Sequence, residues 1–220
     1  MNSLPPRGFA SRSTLLVLCA ALAAALGMYS AQRYFAPKAT PNRTTMDMKA
    51  VRLFDAPRDI GDFRLDGGNG RGLTRESLAG HWTVVFLGFT HCPDVCPTTL
   101  AELAKAQKSW REMPEAIRPR LLFVSVDPER DTAKIVADYA RYFDPDTITA
   151  TAAAKPLADF ASAMGLVYMK VPLPDGDYSM DHSATLVLLD PQGRQAGLVR
   201  PPLDANAIAA DLRKLAEAGR

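Results

Sequence analysis

Residues 89–100 read FTHCPDVCPTTL and hold two of the chain's three cysteines, Cys92 and Cys96, with three residues between them. Two thiols at this spacing can close a disulfide, exchange disulfides with a partner protein or bind one soft metal ion. A structural disulfide across so short a loop would stabilise the fold only slightly, because the stabilisation grows with loop length. Structural zinc usually has four protein ligands, and the sequence has no second cysteine pair. Disulfide exchange and soft-metal binding are therefore the stronger interpretations.

A third donor would decide between these two. Two thiolates and one further donor form a three-coordinate site suited to Cu(I), and an imidazole in the third place lets the site hold Cu(II) as well. His81, in AGHW, is expected to be a solvated turn residue. His91 adjoins Cys92, but neighbouring side chains point apart, so His91 is better placed to tune the thiol than to share its metal. His182, in DYSMDHSATLVLLD, is either the third donor or a loop residue bonded to the backbone.

Three aspartates accompany these residues. Asp94 lies between the cysteines, where it would either support the site through hydrogen bonds or be solvated in the loop. Asp127 and Asp131, in SVDPERDT, follow an apolar run whose end is expected at the same sheet edge as the cysteines. Asp127 is therefore a candidate supporting residue, although turn and helix-cap roles also explain both aspartates.

Apolar runs of strand length alternate with segments of helical spacing. Strands are predicted at 82–89, 120–126, 166–171, 184–190 and 195–200, a hairpin at 62–74, and helices at 98–113, 131–142, 155–164 and 206–218. This alternation predicts an α/β sandwich with a central mixed β-sheet. Pro97 fits the first position of a helix, so we expect a helix to begin there, with both cysteines in a loop at its positive end. That field would favour thiolate over thiol.

Residues 13–32 contain no charged side chain. A helix of about 20 residues spans ~30 Å, the thickness of the hydrocarbon core of a bilayer. Arg7 and Arg12 precede the run and predict a cytoplasmic N-terminus. A cleaved signal peptide is the alternative, but the run is longer than most such signals and no clean A-x-A site follows it. We therefore expect an uncleaved anchor.

The predicted organisation is a cytoplasmic N-terminus (1–12), a transmembrane anchor (13–32), a linker (33–50) and a globular domain (51–220). The net charge is +2 and the sequence has no basic tract, so nucleic acid is not an expected partner. An exported domain meets an oxidising compartment, where thiols are kept reduced only for a purpose.

Three motifs in this order resemble the Sco/SenC family: FLGFTHCPDVCPTTL (86–100), SVDPERDT (125–132) and DHSATLVLLDPQG (181–193). The resemblance runs from about Asp62 to Leu215. It implies a thioredoxin-like fold on a membrane anchor, and a role in building the CuA centre of cytochrome c oxidase. The family's copper ligands correspond here to Cys92, Cys96 and His182.

The resemblance also implies the setting and the partners. The expected partner is the oxidase subunit that carries the CuA site, with periplasmic copper chaperones or thiol reductants as further candidates. No mitochondrial targeting segment is evident, so we expect a bacterial inner-membrane protein with its domain in the periplasm. The expected role is that of a metallochaperone for Cu(I) or Cu(II) rather than an enzyme. The alternative is a thiol–disulfide reductase using Cys92 and Cys96 as a redox disulfide. Ser183 stands where thioredoxin-like reductases have a cis-proline, which favours metal handling.

Overall fold

The computed structural model describes residues 12–35, 47–174 and 176–219. Two compact units make up the chain, one ending at Asp47 and one beginning at Met48. The predicted N-terminal segment 1–12, apart from its last residue, lies outside the described residues. Positions 36–46 of the predicted linker lie outside them as well.

The first unit contains helix α1 (Arg12–Phe35). Its side chains from Thr14 to Ala31 are exposed and largely apolar. Within the described residues, α1 is the one helix long and apolar enough to cross a membrane. A cleavable signal segment near the N-terminus can also be this long and this apolar. The anchor at 13–32 therefore stays a prediction.

The second unit is an α/β domain. Ten strands occur in its described part: β1 (Val51–Arg58), β2 (Arg64–Gly67), β3 (Gly72–Thr74), β4 (Thr83–Gly88), β5 (Arg120–Ser125), β6 (Ile148–Thr151), β7 (Tyr168–Pro172), β8 (Tyr178–His182), β9 (Leu186–Leu189) and β10 (Gln195–Val199). The same residues contain the helices α2 (Arg75–Leu78), α3 (Val95–Trp110), α4 (Ala133–Phe143), α5 (Ala154–Ala163) and α6 (Ala205–Ala218), and a 3-10 turn at Glu115–Ile117. Eight strands form one sheet in the order β1-β10-β9-β4-β5-β6-β2-β3, and β7 pairs with β8 in a separate hairpin.

Strands β4 and β5 form the centre of the sheet. They run parallel to each other, β6 continues the parallel set, and β9 pairs with β4 in the opposite direction. Every side chain of β4 is buried, as expected for apolar, β-branched strands covered on both faces. Helices α3 and α4 make the crossovers between these parallel strands. The predicted central mixed sheet is present.

Strands β1, β6 and β8 were not predicted from the sequence. Strand β1 lies at the sheet edge, and its polar and apolar residues do not alternate over its length. Strand β6 has four residues with little apolar character of their own, and is buried by its neighbours. Strand β8 belongs to the separate hairpin, where polar side chains are tolerated. All three strands form through tertiary pairing rather than through local pattern.

Helix α3 begins earlier than predicted. Its first residue is Val95 and its N-cap is Asp94, so Cys96 lies in the first turn rather than in the preceding loop. The expected start at Pro97 is wrong because the first N–H groups of a helix have no intrahelical partner. A proline in that turn therefore sacrifices no hydrogen bond.

One buried carboxylate attaches the start of the domain to its last helix. The Oδ2 of Asp211 in α6 accepts hydrogen bonds from the backbone N–H groups of Lys49, Ala50 and Val51, at 2.8, 2.8 and 3.0 Å. Two of these donors belong to the predicted linker, and the edge strand β1 begins at the third.

We expect Asp211→Ala to lower the free energy of unfolding by about 2–3 kcal/mol, because several hydrogen bonds to one buried charged group are lost together. Urea denaturation of the variant would measure this. Asp159→Ala is the matched control, since Asp159 is exposed and pairs with the exposed Lys155 in the same helix. Its effect should stay within about 0.5 kcal/mol. Equal free energies of unfolding in the two variants would contradict the stabilising role of Asp211.

Candidate metal centre

Cys96 and His182 meet although 86 residues separate them. The Sγ of Cys96 lies 3.4 Å from Nε2 of His182. Cys96 projects from the first turn of α3, just beyond the end of β4, and His182 is the last residue of β8. Metal–sulfur bonds of ~2.3 Å and metal–nitrogen bonds of ~2.0 Å, meeting at ~110–120°, place two donors about 3.5–3.8 Å apart. The two atoms are thus almost at the separation at which they would share one ion.

The hydrogen bonds of the imidazole determine which nitrogen is free. Nδ1 of His182 lies 3.2 Å from the carbonyl oxygen of Ser183. A carbonyl only accepts hydrogen bonds, so Nδ1 carries the proton and Nε2 presents its lone pair to Cys96. Burial lowers the pKa of His182, an effect opposed by the Ser183 bond. The ring is held neutral, the form in which imidazole binds metals.

The Cys96 thiol is protonated in this state. Its side chain is fully buried, and burial raises its pKa far above the ordinary value. The neighbouring Cys92 thiol and the Asp131 carboxylate raise it further, while a backbone hydrogen bond to Phe89 acts in the opposite direction. The expectation that the helix start would favour a thiolate is wrong for Cys96, because desolvation outweighs the helix field. A protonated Cys96 thiol can donate a hydrogen bond to Nε2 of His182, 3.4 Å away.

Cys92 is half-buried and lies beside the pair. Its sulfur accepts the backbone N–H of Cys96 at 3.3 Å, one of the groups at the helix start that lack an intrahelical partner. Among the described residues, no three His, Cys, Asp or Glu side chains already enclose a metal position. The arrangement is therefore a preformed sulfur–nitrogen pair with a second sulfur that must turn toward it.

Aromatic rings and one glycine shape the space around the pair. The rings of Phe86 and Phe89 meet the His182 ring edge to face, with centroids 6.0 and 6.2 Å away. At Gly88, the last residue of β4, a Cβ would lie 3.0 Å from the Cys96 sulfur and 2.8 Å from the Phe123 ring. Glycine at this position leaves the room that the sulfur occupies.

The predicted supporting aspartates do not contact the donors directly. Asp94 is exposed and caps α3 without a side-chain hydrogen bond. Asp127 is buried and accepts hydrogen bonds from Tyr178 and Arg130, at 2.8 and 2.5 Å. Of the remaining histidines, His81 bonds Arg118 and Arg120 at the other end of the central strands and takes no part in the site.

Near the thiols, Asp131 has a different role from the expected one, and Tyr139 was not predicted. The buried Asp131 accepts hydrogen bonds from the backbone and the hydroxyl of Thr90 and from Ser125, and so fixes the loop before Cys92. Its expected helix-cap role is filled by Thr132 instead. The Tyr139 hydroxyl is buried without a partner among the described residues. Burial, and the nearby Cys96, raise the pKa of Tyr139 to about 12. No local pattern marks Tyr139, because it comes to the thiols only through the packing of α4.

Gly88→Ala should displace the Cys96 sulfur and expose it. Overpacking a core position costs about 1–3 kcal/mol, and the thiol should react faster with an alkylating reagent. Mass spectrometry of the alkylated protein would locate the modified cysteine.

Gly197→Ala is the matched control, because its Cβ would meet the Arg52 carbonyl oxygen at 2.6 Å in the β1–β10 pair. It should cost similar stability while leaving Cys96 protected. Equal alkylation of Cys96 in both variants would contradict the role of Gly88.

The family profile, the relatives and the solved structure described next all belong to one family. The SCO1/SenC family profile matches residues 54–217. The chain is 38% identical over 132 residues to the mitochondrial SCO1 homolog 1 of Arabidopsis thaliana, a match that covers 60% of this chain and 39% of that protein. It is 33% identical over 189 residues to the mitochondrial SCO2 homolog of Bos taurus, covering 86% and 69% respectively.

The fold is similar to that of Bradyrhizobium japonicum ScoI, whose structure was determined with copper bound. The TM-score is 0.64 at 37% sequence identity, over 70% of this chain and 98% of that one. The predicted thioredoxin-like fold and the predicted family are confirmed. The range that the profile matches includes Cys92, Cys96 and His182. The chain belongs to the SCO1/SenC family.

Proposed function

We propose that this protein binds copper through Cys92, Cys96 and His182 and delivers it during assembly of the CuA centre of cytochrome c oxidase. The observation that carries the proposal is the 3.4 Å approach of the Cys96 sulfur to the unprotonated nitrogen of His182. A reductase needs two sulfurs but no imidazole beside them, whereas a copper site uses all three groups.

The donor set suits copper. Soft thiolates select Cu(I), and one imidazole also supports Cu(II). Structural zinc usually has four protein ligands, and only Cys92, Cys96 and His182 are proposed as ligands here. When copper enters, the proton on Cys96 leaves to solvent and the sulfur binds as thiolate. The neutral ring needs no proton change.

Delivery follows from the exposure of the site. Cys92 is only half-buried at the loop before α3, so an acceptor thiolate can approach the ion from that side. Ligand exchange can pass Cu(I) from one pair of sulfurs to another without any change in oxidation state. Bradyrhizobium japonicum ScoI, a relative of similar fold, holds copper in its solved structure, which supports the metal chosen here.

The proposed location is a bacterial inner membrane. Helix α1 exposes apolar side chains, among them Leu15, Leu22 and Leu26. Such side chains are more favourable in the lipid of a bilayer than in water. The two arginines before or at the start of this helix favour a cytoplasmic N-terminus, with the domain in the periplasm. The proposed partner is the oxidase subunit that carries the CuA site.

The thiol–disulfide reductase is less well supported. Such a reductase would use both sulfurs, but the His182 nitrogen 3.4 Å from the Cys96 sulfur would have no part in the exchange. Reduction of Cys92 and Cys96 remains necessary before copper binds, which makes a redox step part of loading rather than the main activity.

The His182→Ala variant should bind Cu(I) at least about tenfold more weakly, because one of three donors is lost. The full chain in detergent, reduced and titrated with copper against a chromophoric chelator, would measure the affinity and show one equivalent bound. His81→Ala is the control, since His81 lies outside the site, and it should bind as the wild type does. An unchanged affinity in His182→Ala would refute the ligand assignment.

The two functions also predict different phenotypes. In a strain lacking this protein, His182→Ala should restore oxidase assembly poorly, and added copper should improve it. Full restoration by His182→Ala without added copper, together with failure of Cys96→Ser, would instead indicate the reductase.

A further inference from the structure

The hairpin of β7 and β8 carries His182 but does not belong to the main sheet. Within the described part of the chain, its two strands pair with each other and with no other strand, from Tyr168 opposite His182 to Pro172 opposite Tyr178. Backbone pairing with the central strands therefore does not hold the imidazole in place. Other contacts must hold the hairpin, and with it the nitrogen that faces Cys96.

Met180 of β8 packs in the hydrophobic core, and polar contacts come from the loop that follows β5. The Arg130 guanidinium lies 3.7 Å from the centre of the Tyr178 ring and donates to the Tyr178 carbonyl oxygen at 3.0 Å. The Tyr178 hydroxyl donates to Asp127 at 2.8 Å, and Arg130 donates to the other oxygen of that carboxylate at 2.5 Å. Asp127, Arg130 and Tyr178, which we call the hairpin clamp, thus form a closed ring of interactions.

Burial makes the clamp hard to open. Asp127 is 1% exposed, and the Arg130 side chain is 18% exposed. If the hairpin moved away, the buried carboxylate would lose its hydroxyl donor and the guanidinium would lose the ring and the carbonyl. Leaving the hydrogen-bonding groups of buried charged side chains without these partners is unfavourable. An outer contact adds to this, because Lys170 of β7 lies 3.7 Å from the same ring and pairs with Glu129 at 2.6 Å.

The clamp also reaches the site from a second direction. Arg130 lies 6.0 Å from the centre of the Phe89 ring, and Phe89 contacts the ring of His182. The same guanidinium therefore contacts the hairpin through Tyr178 and the wall of the site through Phe89.

We propose that the hairpin clamp positions the His182 imidazole for copper. Its members are positioning residues, since they act through the hairpin and do not touch the ion. The inference rests on the proposed copper site. It adds that the third ligand is available only while Arg130 and Tyr178 hold the hairpin against the loop after β5.

Substitutions that open the hairpin clamp should therefore weaken Cu(I) binding, as loss of the imidazole does. Arg130→Gln removes the cation from the ring and from Asp127, and Tyr178→Phe removes only the hydroxyl while keeping the ring. Groups that orient a metal ligand usually contribute 10- to 100-fold in affinity, so Arg130→Gln should weaken Cu(I) binding by about that factor. Tyr178→Phe should give a smaller loss of the same kind.

The matched control is Arg194→Gln. Arg194 pairs at 2.7 Å with the buried Asp190, at the turn between β9 and β10. That turn follows Leu189, which pairs with Thr83 at the start of β4, whereas the site lies beyond the end of β4. The control therefore removes a comparable arginine–aspartate pair from a hairpin far from the site.

The experiment measures Cu(I) affinity and the electron paramagnetic resonance of bound Cu(II) in the full chain, for each variant alone and combined with His182→Ala. Arg130→Gln should lose the nitrogen coupling that an imidazole gives to Cu(II), and Arg194→Gln should keep it. Once His182 is absent, Arg130→Gln should cause little further loss, because both changes remove one interaction.

The clamp proposal would be overturned if the losses of Cu(I) affinity from Arg130→Gln and His182→Ala were independent and additive. It would also be overturned if Cu(II) bound to Arg130→Gln kept the wild-type nitrogen coupling. If Arg130→Gln does not fold, Tyr178→Phe decides the question by the same two readouts. A His182→Ala variant with unchanged affinity would refute the copper ligand set itself, whereas loss in His182→Ala with none in the clamp variants would refute only the clamp.

Discussion

The site depends on one contact, that between the Cys96 sulfur and the free nitrogen of His182. Nothing local in the sequence brings these atoms together. Cys96 is placed by α3, which begins where the buried strand β4 ends, and His182 by a hairpin outside the main sheet. Cys96 is buried and His182 is partly buried, which makes their contact electrostatically stronger than it would be at the surface.

Burial also determines the protonation states of Cys96 and His182. A thiolate in this position would be a buried, uncompensated negative charge, so the thiol keeps its proton and shares it with a neutral imidazole. In the proposed site, a copper cation would take the place of that proton and balance the charge of the thiolate.

The central strands and the candidate ligands could be predicted from the sequence. Apolar, β-branched runs predicted β4, β5 and β9, because burial on both faces leaves a pattern that needs no neighbours to interpret. The motif resemblance, rather than spacing, selected His182 among the histidines. The sequence could not predict the start of α3, the protonation of Cys96 or the contacts of Arg130 and Tyr178. Each of these depends on desolvation or on packing between distant segments, which leave no local signature.

The central claim is that two sulfurs and one imidazole nitrogen bind a single copper ion. X-ray absorption at the copper edge of the Cu(I)-loaded full chain measures the number and type of donor atoms directly. The account predicts two sulfur donors and one nitrogen donor for each ion, with the nitrogen absent in His182→Ala. A wild-type spectrum with sulfur donors alone, unchanged by the loss of His182, would contradict it.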